Sequence, residues 1–148
     1  MATGKTFTAP RCRILLEGKV VARGTNFTMR CSEEVQDVDV IDSVETIEYA
    51  TVGYKVSGSI GRVKSVGTTV KSLGMFPNTG KDAEEHLSNI LAMDGQVLQA
   101  MDKGESKVLH TITGVKFTDW DFSIAARGIG AVNVMWRAIR ETDESEPS

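Results

Sequence analysis

The chain has 148 residues, a formal net charge of −3 and 25% charged residues. That length suits one domain and leaves no room for two well-formed cores. Its charges of both signs are scattered without a basic stripe for nucleic acid phosphates, and its longest apolar runs, 14–16 and 90–93, fall far short of the roughly 18 residues a bilayer crossing needs.

Residues 1–10 are polar, carry no apolar segment of the kind a secretory leader needs, and read as an N-terminal arm. Ala2, Thr3, Gly4, Lys5 and Thr6 resemble the end of a phosphate-binding loop, but the first glycine, the preceding strand and the following helix are missing, so chance accounts for them. A single β domain is expected over 11–141. It opens with a hairpin, 11–16 and 19–23, because Glu17 and Gly18 supply a two-residue turn. Asn26, Phe27, Thr28, Met29 and Arg30 alternate as a third strand. In 32–43, Glu33, Glu34, Asp37, Asp39 and Asp42 interleave with Val35, Val38, Val40 and Ile41, too acidic for a core strand and too apolar for an idle loop. A long strand then runs from about 45 to 60, with Val52, Tyr54 and Val56 on one parity. The stretch 32–57 therefore reads as a long hairpin or arm.

Gly67, Gly74 and Pro77 break the pattern in a crossing connection over 61–77. A helix is expected at about 80–94, capped by Thr79, ended by Gly95, and packed through Ala83, Leu87, Ile90 and Leu91. Strands return from Gln96: one with Val97, Leu98 and Met101, a turn at Lys103 and Gly104, then one with Val108, His110 and Ile112, and a turn at Thr113 and Gly114. Val115 and Phe117 share one parity while Trp120, Phe122 and Ile124 share the other, which requires a bulge near Thr118 and Asp119 or a strand end there. Gly128 and Gly130 bracket a turn before a last strand with Val132, Val134, Trp136 and Ala138. Residues 142–148 read as a flexible acidic tail. The sum is a mainly β, α+β fold of eight or nine strands, a β-sandwich or partly closed β-barrel with one flanking helix.

No catalytic constellation emerges, and no cofactor or metal is expected. Cys12 and Cys31 are expected as reduced, buried thiols, since a leader is missing and the chain is long enough to build a core. His86 and His110 lie far from both cysteines and from each other, so a zinc site is not indicated. His110, between Val108 and Ile112, reads as a satisfied core or interface histidine. Asp119 and Asp121 flank Trp120 on what a solvated edge would also look like, and Gly128, Ile129 and Gly130 suit a hairpin turn better than a dinucleotide fingerprint. What remains is a surplus of strand, in particular 35–56, whose unpaired backbone invites pairing with another chain.

The residues Ala22, Arg23, Gly24, Thr25, Asn26 and Phe27, the acidic Val-rich arm, then Glu48, Tyr49 and Ala50, and the run from Val52 and Gly53 through Tyr54 to Ile60 resemble tail tube proteins of contractile-tailed bacteriophages. Ser72, Leu73, Gly74, Met75, Phe76 and Pro77 before the helix and the closing hairpin over 128–140 add to the likeness, which covers roughly 11–140. The resemblance extends in architecture to the haemolysin-coregulated tube proteins of type VI secretion. It implies a structural virion protein, made in the host cytoplasm, whose hexameric rings stack into a hollow conduit for DNA ejection. The partners it implies are further copies of the chain, sheath, baseplate and tape measure proteins, and DNA passing through without specific binding. No membrane is involved. Inter-ring contacts are expected from Val35, Val38, Val40, Ile41, Val44 and Ile47. The alternatives are a ring-forming tail terminator or baseplate tube-like protein and, from another class, a monomeric cytoplasmic β-barrel ligand-binding domain.

Overall fold

A computed structural model describes residues 6–21 and 24–146; residues 1–5, which hold most of the resemblance to a phosphate-binding motif, Ala22 and Arg23, and residues 147–148 lie outside the described residues. A 3-10 turn, Ala9–Arg11, leads into β1 (Cys12–Leu16), which turns back into β2 (Lys19–Val20). Glu17 at φ 51° and Gly18 at 81° both take left-handed backbone, the geometry of a two-residue hairpin turn. β3 (Gly24–Val38) and β4 (Glu48–Val63) form one long antiparallel hairpin, followed after a connection by α1 (Ala83–Ala92). β5 (Gln96–Asp102), β6 (Lys107–Ser123), β7 (Ala131–Ala138) and β8 (Arg140–Asp143) complete the mainly β, α+β fold.

The strand order is β2-β1-β5-β6-β7-β4-β3, with β8 paired to β6. β6 serves two half-sheets. Its first part pairs with β5 and β8, and its second part, 116–123, pairs with β7. The changeover lies at Gly114, whose φ of 69° bends the chain where β5 advances from Gln96 to Leu98 while its partner residue on β6 moves from Val115 to Ile112. The turn expected at Thr113 and Gly114 is thus a bulge inside a continuous strand, because a positive-φ glycine redirects the chain while the ladder resumes on both sides. Across the bend, the Ile139 N–H donates to the Thr113 carbonyl at 3.1 Å, which carries β7 into β8. The bulge expected near Thr118 and Asp119 is present: Phe117 pairs with Trp136 and Asp119 with Met135, leaving Thr118 extra.

The half-sheets fold face to face over one core that joins Leu16, Leu98 and Ile112 to Val56, Ile60, Val132, Val134 and Trp136. Val70 and Met75 from the connection are buried against it. Gly58 makes room for the largest of these side chains: a Cβ there would collide with the Thr28 carbonyl oxygen and come within 2.5 Å of the Trp136 ring, which stacks on Phe27 at 6.1 Å. The sandwich does not close into a barrel, since β2 and β3 are its terminal strands.

Three local expectations need correction. The helix is shorter than 80–94, and its N-cap is Asp82, whose carboxylate accepts from Glu85 N–H at 2.9 Å; the Thr79 hydroxyl instead accepts from Lys71 Nζ at 2.7 Å. Met93, not Gly95, is its C-cap. The expected packing face is mostly turned outward: Leu87 is 56% and Leu91 75% exposed, Ala83 is exposed, and Ile90 alone of the four is half-buried, beside His86 and Asn89. Cys31 is exposed rather than buried, because it lies where β3 runs out of the sandwich; both thiols are free, and partial burial raises the Cys12 pKa.

Candidate assembly interface

The second half-sheet, in the order β6-β7-β4-β3, is antiparallel throughout. Among the described residues, β3 has no ladder partner on the side away from β4, and 116–123 of β6 has none on the side away from β7. Both ends of this half-sheet are therefore open.

The registers define its two faces. Phe27 opposes Ile60, Ile60 opposes Val134, and Val134 opposes Trp120, while Val132 opposes Phe122. One face thus carries the apolar core, deeply buried at Ile60 and Val134. Toward the open ends the same face is uncovered: Phe27 and Met29 are half-buried, Trp120 is 47% exposed and Phe122 51%. Phe76 reaches Trp120 at 6.3 Å between ring centres and closes part of that margin. The opposite face carries Thr28, Arg30, Ser57, Ser59, Asn133, Arg137, Asp119 and Asp121, with Met135 as its large apolar residue. Hydrogen bonds knit it together, Thr28 to Ser59 between hydroxyls at 2.8 Å and Asn133 Nδ2 donating to Asp121 at 3.3 Å. Asp119 and Asp121 lie on this polar face, opposite to Trp120.

Beyond the Val56 and Ala138 pair, β4 has β3 as its sole ladder partner, so 32–55 leaves the sandwich as a two-stranded ribbon. At about 3.3 Å per residue its seven β3 positions extend about 23 Å. From Glu33 to Glu48 it holds seven acids and no lysine or arginine. Val35, Val40, Ile41, Val44 and Ile47 are all exposed, Ile41 and Val44 fully, and Val38 is half-buried. Tyr49, Val52 and Tyr54 add exposed apolar surface beyond the six residues expected at inter-ring contacts. A Lys55 to Glu34 ion pair and a Thr46 hydroxyl donating to Asp39 at 2.9 Å hold the ribbon's own geometry. Such a ribbon is marginal alone and calls for a partner surface.

Elsewhere, polar contacts tie elements together without converging on a reacting centre. The Arg11 guanidinium binds Asp102 through two bonds, 2.9 and 2.6 Å, fixing the start of β1 to the end of β5. That guanidinium holds the Asp102 carboxyl below its ordinary range. His110 Nδ1 lies 2.7 Å from Glu141 Oε1, so it is partnered, half-buried, across the β6 and β8 ladder. Among the described residues no three His, Cys, Asp or Glu side chains group as metal ligands.

Chains in several solved assemblies share this fold. The SPP1 tail tube matches with a TM-score of 0.67 at 12% identity, over 97% of this chain and 81% of that chain. A chain of the PVC extracellular contractile injection system, in its extended-state sheath/tube terminator, matches at 0.66 and 10% identity over 95% and 98%. One in the tail of an empty gene transfer agent particle, refined with C6 symmetry, matches at 0.58 and 11% over 93% and 98%. No curated protein matches the sequence. The family described as Phi812 tail tube protein matches residues 2–142.

Proposed function

The chain belongs to the Phi812 tail tube protein family, a structural component of virion tails, and we propose that its copies close into hexameric rings that stack into a hollow conduit for DNA. The observation that carries this reading is the pair of open edges at opposite ends of one half-sheet. Four antiparallel strands alternate in direction, so β3 runs opposite to β6. A neighbour placed head to tail then adds its β6 to β3 as the next antiparallel strand, and repetition around an axis leaves no edge. The six-fold symmetry stated for the gene transfer agent tail supports six copies.

In such a ring the polar face lines the channel. It mixes serine, threonine and asparagine with charges of both signs: Arg30, Arg137 and Lys116 share one row across the sheet, and the carboxylates of Asp119 and Asp121 in the neighbouring rows weaken the hold of that row on a duplex. The acidic ribbon, with Val35, Val38, Val40, Ile41, Val44 and Ile47, reaches along the strand direction to the adjacent ring. The domain over 11–141 is the repeating unit, 1–10 an arm and 142–148 an acidic tail, although β8 pairs with β6 as far as Asp143. Sheath, baseplate and tape measure proteins are the partners that follow, and the work is mechanical rather than catalytic.

Negative-stain microscopy of the purified chain tests this: hollow tubes are expected. A monomer by light scattering at every concentration would remove the tube reading, and isolated rings that never stack would favour a tail terminator.

A further inference from the structure

We propose that neighbouring subunits join in one particular register, with residues 26–30 of β3 antiparallel to 119–123 of the next subunit's β6, Phe27 opposite Phe122 and Met29 opposite Trp120. The inference rests on the ring reading above and specifies its contact surface.

Face parity supplies the first constraint. Phe27 and Met29 at one end of the half-sheet and Trp120 and Phe122 at the other belong to the same apolar face. A slip of one residue would turn the neighbour's aromatic rings onto the polar side, so registers of a single parity remain.

A second constraint comes from shape. A groove beside β3 has Ile14, Val20, Val21, Phe27 and Met29 as its apolar lining, together with the edge-strand residues Thr25 and Asn26. The exposed strip Trp120, Phe122 and Ile124 stands at the opposite edge, on the continuation of that apolar layer. In the proposed register the strip of one subunit covers the groove of the next.

Charge selects among the registers that remain. With Phe27 opposite Phe122, Arg30 meets the Thr118 and Asp119 bulge and Thr28 meets Asp121. Arg30 is exposed and has no ion-pair partner among the described residues, and the Asp119 carboxylate accepts from the Thr118 hydroxyl at 3.2 Å. Shifting by two residues one way brings Arg30 against Lys116, a repulsive pair. Shifting the other way still gives Arg30 a carboxylate, Asp121, but leaves Phe27 facing a residue past the end of β6.

Cross-linking tests the register. In a Cys12→Ser, Cys31→Ser background, Thr28→Cys combined with Asp121→Cys should give a ladder of covalent multimers on mild oxidation of assembled tubes, because opposed Cα atoms lie about 4.5–5.5 Å apart. Asn26→Cys with Asp121→Cys should not. In parallel, Arg30→Glu and Asp119→Arg should each raise the concentration needed for assembly about tenfold, with the two in one chain restoring it. Preferential cross-linking of the shifted pair, a ladder that stops at dimer, or single charge variants that assemble like the wild type would overturn the register while tubes persist. Failure of the wild type to form rings would instead remove the ring reading. Should the cysteine variants not fold, the charge exchange decides, since both of its positions are exposed.

Discussion

Gly58 illustrates how much a single position can decide. Its Cβ would meet backbone on one side and the Trp136 ring on the other, and neither can yield without opening the core. Gly58→Ala should therefore destabilise by about 3 kcal/mol, the upper end of what overpacking commonly costs, and thermal unfolding of the subunit measures it. Asp102 gives a prediction with a sign. Its folded pKa is depressed, chiefly by the Arg11 guanidinium, so its stabilising contribution is complete above the ordinary carboxylate value of 3.8 and disappears as pH falls through the lowered folded value. Thermal scans should show Asp102→Asn less stable than the wild type near neutrality and the gap narrowing below about pH 4. A gap that stays constant with pH would mean the pair contributes no charge term. The sequence hid both residues: no alternation marks Gly58 as the floor of a tryptophan, and Arg11 and Asp102 stand 91 positions apart.

Elements with a clear period were legible, and those held by other forces were not. The first hairpin, the long β3 and β4 pair, the Thr118 bulge and the last long strand follow from turn chemistry and parity. β8 escaped because Arg140, Glu141, Thr142 and Asp143 offer no apolar alternation; it is placed by the ladder and by Glu141 beside His110. The helix was visible but its orientation was not, since its apolar residues are spread too widely to pick out the half-buried side, His86, Asn89 and Ile90. Leu87→Ala and Leu91→Ala should accordingly shift subunit stability by no more than about 0.5 kcal/mol, as changes at exposed sites do. Ile90→Ala should cost more, about 1–2 kcal/mol for a half-buried side chain. Losses of 2 kcal/mol or more at Leu87 in a chemical denaturation series would contradict this placement.

For the whole molecule, the sequence carried the economy of an assembly protein, a single core plus a strand surplus, but not the open edges, which depend on pairings between segments far apart in the chain. The arm offers the corresponding test. Val38→Asp with Val40→Asp adds like charge beside Asp37 and Asp39 in a ribbon outside the core, so the subunit should keep its thermal transition while tubes are lost, read by light scattering and microscopy. Unfolding would make the arm part of the core, and normal tubes would remove it from the stacking contact. The alternation of strand direction has a last consequence for ring size. In the proposed ring each protomer contributes four strands, so the ladder closes with matched direction for five, six or seven copies alike. Copy number is then a matter of curvature, set by how far each half-sheet turns between its two edges. The extra residue at Thr118, like the irregularity between Gly24 and Asn26, adds local twist to a strand at an open edge of the half-sheet. In that ring such bulges would act as the wedges of an arch and set the diameter of the bore.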